Sequence, residues 1–225
     1  MVSMKQRFGL FLFRDVKQRG FTLIELLVSI SVMLVILGIS TSQAPQALVK
    51  AAISDDASNV ELLFREAQIK GSSINSLSNV YGGAGMHFDR ASATQAILFK
   101  DKIIPSPFRT IGVGNGVYNK TSDELLQNFL LRGRDRIGKL CVATSSSLFY
   151  CNETGISDIP TINTLTVSFT RPKQTAHVYI NNQTGIEYQA ACVELHGPQA
   201  PNKGYVRSIQ VYRSGMITKN FAACN

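Results

Sequence analysis

Three histidines, four cysteines, one glycine-rich stretch, one serine-rich stretch and two basic clusters are the residues whose types could do chemistry in this chain. His87, His177 and His196 stand far apart, outside any HExxH pair and without metal-ligand spacing to the cysteines. In "IGVGNGVYN", Gly112, Gly114 and Gly116 alternate with larger residues, but the Lys-Ser/Thr of a phosphate-binding loop is missing. A flexible loop is the better reading. "ATSSSL" lacks the GxSxG of a nucleophile elbow and reads as a hairpin turn. No acid–base pair or metal cluster emerges, so the residues predict no enzyme, no cofactor and no metal.

The cysteines fall at Cys141, Cys151, Cys192 and Cys224, an even number with no CxxC pair. Two disulfides are the natural reading for an exported chain, and four cysteines allow three connectivities. If the hairpin centres on Ser146, Cys141 and Cys151 face each other across it, close to disulfide distance. Cys192 would then pair with Cys224 and pin the C-terminus. The basic residues are Arg132, Arg134 and Arg136, with Lys139, offset by Asp135, and then Arg207, Arg213 and Lys219. Contact with nucleic-acid phosphates through them would be strongly salt-dependent. A solvated surface is the plainer reading.

One further group has no ordinary explanation. From Phe21 to Ile39 the chain is apolar except for Glu25. Such a run, at about 1.5 Å per residue, makes a helix of nearly 30 Å, the thickness of a bilayer's hydrocarbon core. Lys5, Arg7, Arg14, Lys17 and Arg19 precede it, against Asp15 alone, so that end stays cytoplasmic. A secretory signal would place its small-residue cleavage site after the apolar run, whereas here Gly20 comes before it. A charge at membrane depth costs on the order of 3 kcal/mol unless partnered.

Gly20-Phe21-Thr22-Leu23-Ile24-Glu25-Leu26-Leu27, followed by apolar residues, resembles the N-terminal signal of type IV prepilins and type II secretion pseudopilins. The resemblance implies a leader, residues 1–20, removed after Gly20 by prepilin peptidase, which then methylates the amine of Phe21. It also implies that Glu25 pairs with the N-terminal amine of a neighbouring subunit during assembly. The partners are then that peptidase, other pilin or pseudopilin subunits, and the cytoplasmic membrane before assembly. The protein would cross the membrane once, with its head outside, and later enter a pilus or pseudopilus.

The elements follow in order. Residues 21–40 form the membrane segment. Residues 41–71 continue it as an amphipathic helix, with Val60, Leu63, Phe64 and Ala67 at i, i+3, i+4, i+7. Pro45 should kink or locally open that helix, and Gly71 and Ser72 end it. Residues 72–225 read as a β-rich head. Short strands include "GAGMHF", "TQAILFK", "KLCVAT", "TLTVSFT", "AHVYI" and "YVRSIQVY", and "VYRSGMI" forms a hairpin with Gly215 in its turn. "SDELLQNFLLR" (Ser122–Arg132) reads as a short helix capped by Ser122. The expected class is α+β: a long N-terminal helix packed on an antiparallel β-sheet head. The helix, "YGGAGMHFD", "ILFKD" and the last hairpin resemble GspH/FimT minor pilins. Some of that group bind DNA through arginines after the last hairpin's glycine, where this chain has Met216. A structural subunit is therefore expected, with a DNA- or surface-binding tip pilin as the alternative. The formal charge of +8 falls to about +4 without residues 1–20, so the head is only mildly basic.

Overall fold

The computed structural model describes residues 21–73, 81–102, 115–121, 123–145, 148–151, 160–170, 175–198, 200 and 205–224. The leader expected at 1–20, the cap expected at Ser122 and the turn centre at Ser146 lie outside them. The chain divides into two units, Met1–Ala44 and Pro45–Asn225.

Helix α1 spans Leu23–Ser72, bounds that include Pro45. In the first unit its side chains from Phe21 to Ser40 are all exposed. The span Leu23–Ser40 is long and apolar enough to cross a membrane. Three serines within it would leave hydroxyl donors in an apolar setting. Each instead donates to the carbonyl four residues back: Ser29 to Glu25, Ser31 to Leu27 and Ser40 to Ile36, at 2.8, 2.8 and 2.9 Å.

In the second unit, the helix is amphipathic as its spacing predicts. Ile53, Ala57, Val60, Phe64 and Ala67 are fully buried. Among the described residues ten strands follow: β1 Tyr81–Asp89, β2 Gln95–Lys102, β3 Glu124–Leu130, β4 Arg136–Ala143, β5 Tyr150–Cys151, β6 Thr164–Thr170, β7 Ala176–Ile180, β8 Ala190–His196, β9 Val206–Tyr212 and β10 Ile217–Asn220. They divide between two antiparallel sheets rather than one. The orders are β3-β2-β1-β6-β7 and β10-β9-β8-β4-β5. One core joins the helix to both: Phe64, Met86, Phe88, Leu98, Leu140, Val167, Phe169, Val193 and Ile209 belong to one buried cluster.

Polar contacts fix the helix on one sheet and a close approach fixes it on the other. Gln68 Nε2 donates to the carbonyl of Gly215 at 3.0 Å, and Lys219 Nζ donates to Ser58 Oγ at 2.8 Å. On the other sheet, Gly71 packs so closely that a Cβ there would lie 2.3 Å from the Phe169 carbonyl oxygen. No side chain fits at that crossing. The β9–β10 hairpin forms where the sequence placed it, with Gly215 at φ +86° in the turn.

The helix expected over Ser122–Arg132 is corrected: Glu124–Leu130 is the edge strand β3. It pairs with β2 from Gln95↔Leu130 to Lys100↔Glu124. Cross-strand bonds hold it, including Asn128 Nδ2 to Gln95 Oε1 at 2.9 Å. Asp123, expected in a helical first turn, accepts the N–H groups of Lys102 and Asn119 instead. Pairing to an available sheet edge overrides a weak local helix preference.

Both disulfides are present. Cys141 and Cys151 stand in direct register on β4 and β5, with Cα atoms 4.0 Å apart. Cys192 on β8 joins Cys224. The sequence separations are 10 and 32 residues. Loop-closure entropy gives about 2.7 kcal/mol for the first and about 3.7 kcal/mol for the second. Thermal melts of the full chain should therefore show a lower Tm for Cys192→Ala/Cys224→Ala than for Cys141→Ala/Cys151→Ala. A difference of about 2–4 °C is expected at this size. The reverse order would contradict the entropic account.

Candidate functional site

The first site is the N-terminal turn of α1. The carbonyl of Thr22 accepts the N–H groups of Glu25 and Leu26, at 3.0 and 3.2 Å, and the Thr22 hydroxyl lies 3.4 Å from the Glu25 N–H. Thr22 thus caps the helix, with Glu25 at the third helical position, the spacing of a capping box. A carboxylate there also complements the positive end of the helix dipole. That local role accounts for an acid at a helix start. It does not account for one among Phe21, Leu23, Ile24, Leu26 and Leu27, all more than half exposed. Glu25 is the only ionisable side chain from Phe21 to Val49. Gly20 lies outside the described residues, while Phe21 is 79% exposed. An amine created at Phe21 would be one helical turn from the carboxylate.

The second group surrounds the disulfides. Cys141 is in register with Cys192 as well as with Cys151, so the two bridges lie side by side. The sulfurs of Cys141 and Cys224 and a Glu194 carboxylate oxygen fall within 4.8 Å of one another. Both sulfurs are disulfide-bonded and offer no thiolate to a metal. Glu194 instead accepts the N–H of Cys224 at 2.8 Å and bonds His196 Nε2 at 2.9 Å. Burial pushes its carboxyl up, but His196 and the Cys224 N–H more than offset that and leave it below the usual range. The C-terminus is thus held by a covalent bond and a charge-assisted hydrogen bond together.

The six residues considered for nucleic-acid contact do not form one exposed patch. Arg132 pairs with Asp55, and its backbone N–H donates to Asp56 at 2.6 Å. Arg207 is buried, donates to the Val206 carbonyl and lies 4.9 Å from the Phe221 ring centroid. Arg213 pairs with Glu187 at 2.7 Å, and Lys219 reaches Ser58. Arg134 and Arg136 are exposed.

Sequence spacing missed one constellation. Thr170 Oγ1 lies 3.0 Å from His177 Nε2, and His177 Nδ1 contacts Glu187, which also holds Arg213. A hydroxyl–imidazole–carboxylate chain has the order of a nucleophilic triad. Its carboxylate, however, is shared with an arginine at the end of β9. Together with the bond from the Ala176 N–H to the Arg213 carbonyl, at 3.0 Å, this is a clasp between the two sheets. Residues seven and more apart, drawn from strands and loops, gave no motif from which to infer it.

Residues 16–41 match the family model described as the prokaryotic N-terminal methylation motif. No curated protein and no solved structure matches the chain. On an apolar N-terminal helix ahead of an antiparallel α+β head, this motif is that of the prepilin and pseudopilin family, a structural class whose members are substrates of prepilin peptidase.

Two buried acids near Arg132 set a pH dependence. Burial raises the Asp56 carboxyl, against the opposing pull of Arg132, and raises that of Asp135 to about 6, with Asp56 adding to it. A carboxyl whose folded pKa exceeds the unfolded value of about 3.9 stabilises the fold while protonated. That contribution is complete below about pH 4 and is lost as pH rises through about 6. Melts of the full chain from pH 4 to 7 should show Tm falling more for the wild type than for Asp135→Asn. Parallel curves would contradict the assignment.

Proposed function

We propose that the chain is a minor pilin or pseudopilin subunit of a type IV pilus or type II secretion pseudopilus. In this reading it enters the cytoplasmic membrane once through residues 21–40, with the head outside. Prepilin peptidase cuts after Gly20 and methylates the Phe21 amine. The subunit then leaves the membrane by packing α1 into a bundle of like helices. Other pilin or pseudopilin subunits are its partners.

The observation that carries the reading is the solitary charge. Glu25 alone interrupts an exposed apolar helix surface, and it lies within the methylation motif of residues 16–41. Unpartnered, that carboxylate costs on the order of 3 kcal/mol in hydrocarbon. The Phe21 amine stays positive when methylated, so a neighbouring subunit supplies the missing cation. One charge pair then favours assembly over residence in lipid and sets the stagger between helices. Two disulfides in the head suit an oxidising compartment outside the cytoplasm.

Glu25→Gln and Glu25→Ala should insert in the membrane as well as the wild type, because a costly charge is removed. Their recovery in sheared filaments or pseudopili should fall at least tenfold, corresponding to about 1.4 kcal/mol or more of lost pairing. Immunoblots of membrane and sheared fractions read both quantities. Wild-type recovery of both variants in filaments would contradict the pairing role.

A further inference from the structure

The outer face of the β3-β2-β1-β6-β7 sheet carries a cleft of about 700 Å³. That is within the range of about 300–1,000 Å³ that small-ligand sites occupy. Such sites are usually lined by apolar groups with a few polar ones, and this one reverses the proportion. Gln95, Asn115, Asn119, Asn128 and Asn182 bring five carboxamides to its walls. Each carboxamide both donates and accepts, and the groups already engaged leave others available: Asn128 Nδ2 is used on Gln95 Oε1, and Asn115 Oδ1 on the Val117 N–H.

The floor is aromatic. The Tyr118 ring, half-buried, packs 4.9 Å from the His87 ring and 5.2 Å from Phe99, centroid to centroid. His87 is buried and bonded to the Thr166 hydroxyl at 2.9 Å. Burial pushes its imidazole down to about 4, so it is neutral near pH 7. The remaining charges at the wall are Asp89 and Lys120, which cancel. No arginine lines the cleft among the described residues.

The walls are preformed. Asn181 and Asn182 have φ of +51° and +58°, the paired left-handed values of a tight hairpin turn, closed by the Gln183 N–H on the Ile180 carbonyl at 2.9 Å. The Asn181 side chain ties that turn to the segment leading into β6, through the Asn163 N–H at 2.8 Å and the Thr161 carbonyl at 2.7 Å. Asp123 holds the opposite wall through the N–H of Asn119 at 2.6 Å. A site whose groups are already fixed loses little entropy on binding.

We propose that this cleft binds a neutral, hydroxyl-rich ligand, a short oligosaccharide. Adjacent hydroxyls donate and accept together, which carboxamides match and lone charges do not. The C–H groups on one face of a sugar ring are weakly positive and suit the negative face of the Tyr118 ring. A phosphorylated ligand would meet one lysine offset by Asp89, and an apolar one would leave the remaining donors and acceptors of the five carboxamides unmatched. The inference concerns the head alone and does not depend on the assembly reading.

The test is saturation-transfer NMR on the full chain in amine-oxide micelles, since glycoside detergents would themselves present sugars. The probes are cellotriose, maltotriose, triacetylchitotriose and mannotriose, with glucose 6-phosphate as the charged comparison. At least one neutral probe should bind saturably, with a dissociation constant on the order of millimolar or below. Asn128→Ala, at an exposed position on the edge strand, should weaken it at least tenfold while lowering Tm by no more than about 4 °C, the share of its one bond to Gln95. Tyr118→Ala should abolish binding, whereas Tyr118→Phe, which keeps the ring in its packing, should retain most of it. Saturable binding to none of the four, binding that survives both Asn128→Ala and Tyr118→Ala, or tighter binding of glucose 6-phosphate would each overturn the proposal.

Discussion

An ionised carboxylate on an apolar helix has three ways to avoid its solvation cost: water, a proton, or a fixed positive partner. Glu25 has an exposed helical surface around it and no second ionisable side chain up to Val49. The helix satisfies everything else from within. Its serine hydroxyls bond back to carbonyls, and Thr22 caps its first turn. What stays unsatisfied in that segment is one negative charge, and under the proposed maturation its complement is the Phe21 amine of a neighbouring subunit. The N-terminal segment is therefore incomplete as a single chain, and the account of assembly rests on that incompleteness.

The head is built to the opposite rule. Its half of α1 buries an apolar stripe that joins the shared core of the two sheets. Polar side chains at this junction find partners on the second sheet, as with Gln68 on Gly215 and Ser58 with Lys219. The disulfides and the Glu194 contact then tie down the short β5 and the C-terminus, the parts of the second sheet with the least packing of their own. Much of the basic charge is consumed in the same way. Arg132 and Arg213 hold turns in place through acids on other elements.

Local patterns made much of this legible. The apolar run with its acid, the amphipathic spacing of Val60, Leu63, Phe64 and Ala67, the Gly215 turn and the facing cysteines each depend on residues close in sequence. The features that were not legible depend on distant pairing. Ser122–Arg132 carries helix-like start signals, and only the free edge of β2 makes it a strand. The division into two sheets is invisible in strand patterns that look alike. The Thr170–His177–Glu187 clasp and the carboxamide cleft draw single residues from several elements, and no single stretch advertises them.

The central claim is that maturation creates the cation that Glu25 lacks. Mass spectrometry of the protein isolated from cells with an active prepilin peptidase measures that directly. The account predicts a chain beginning at Phe21, with a methyl group on its N-terminal nitrogen and residues 1–20 absent. A chain from such cells that retains the leader and begins at or near Met1 would contradict it, because Glu25 would then have no amine at Phe21 to pair with.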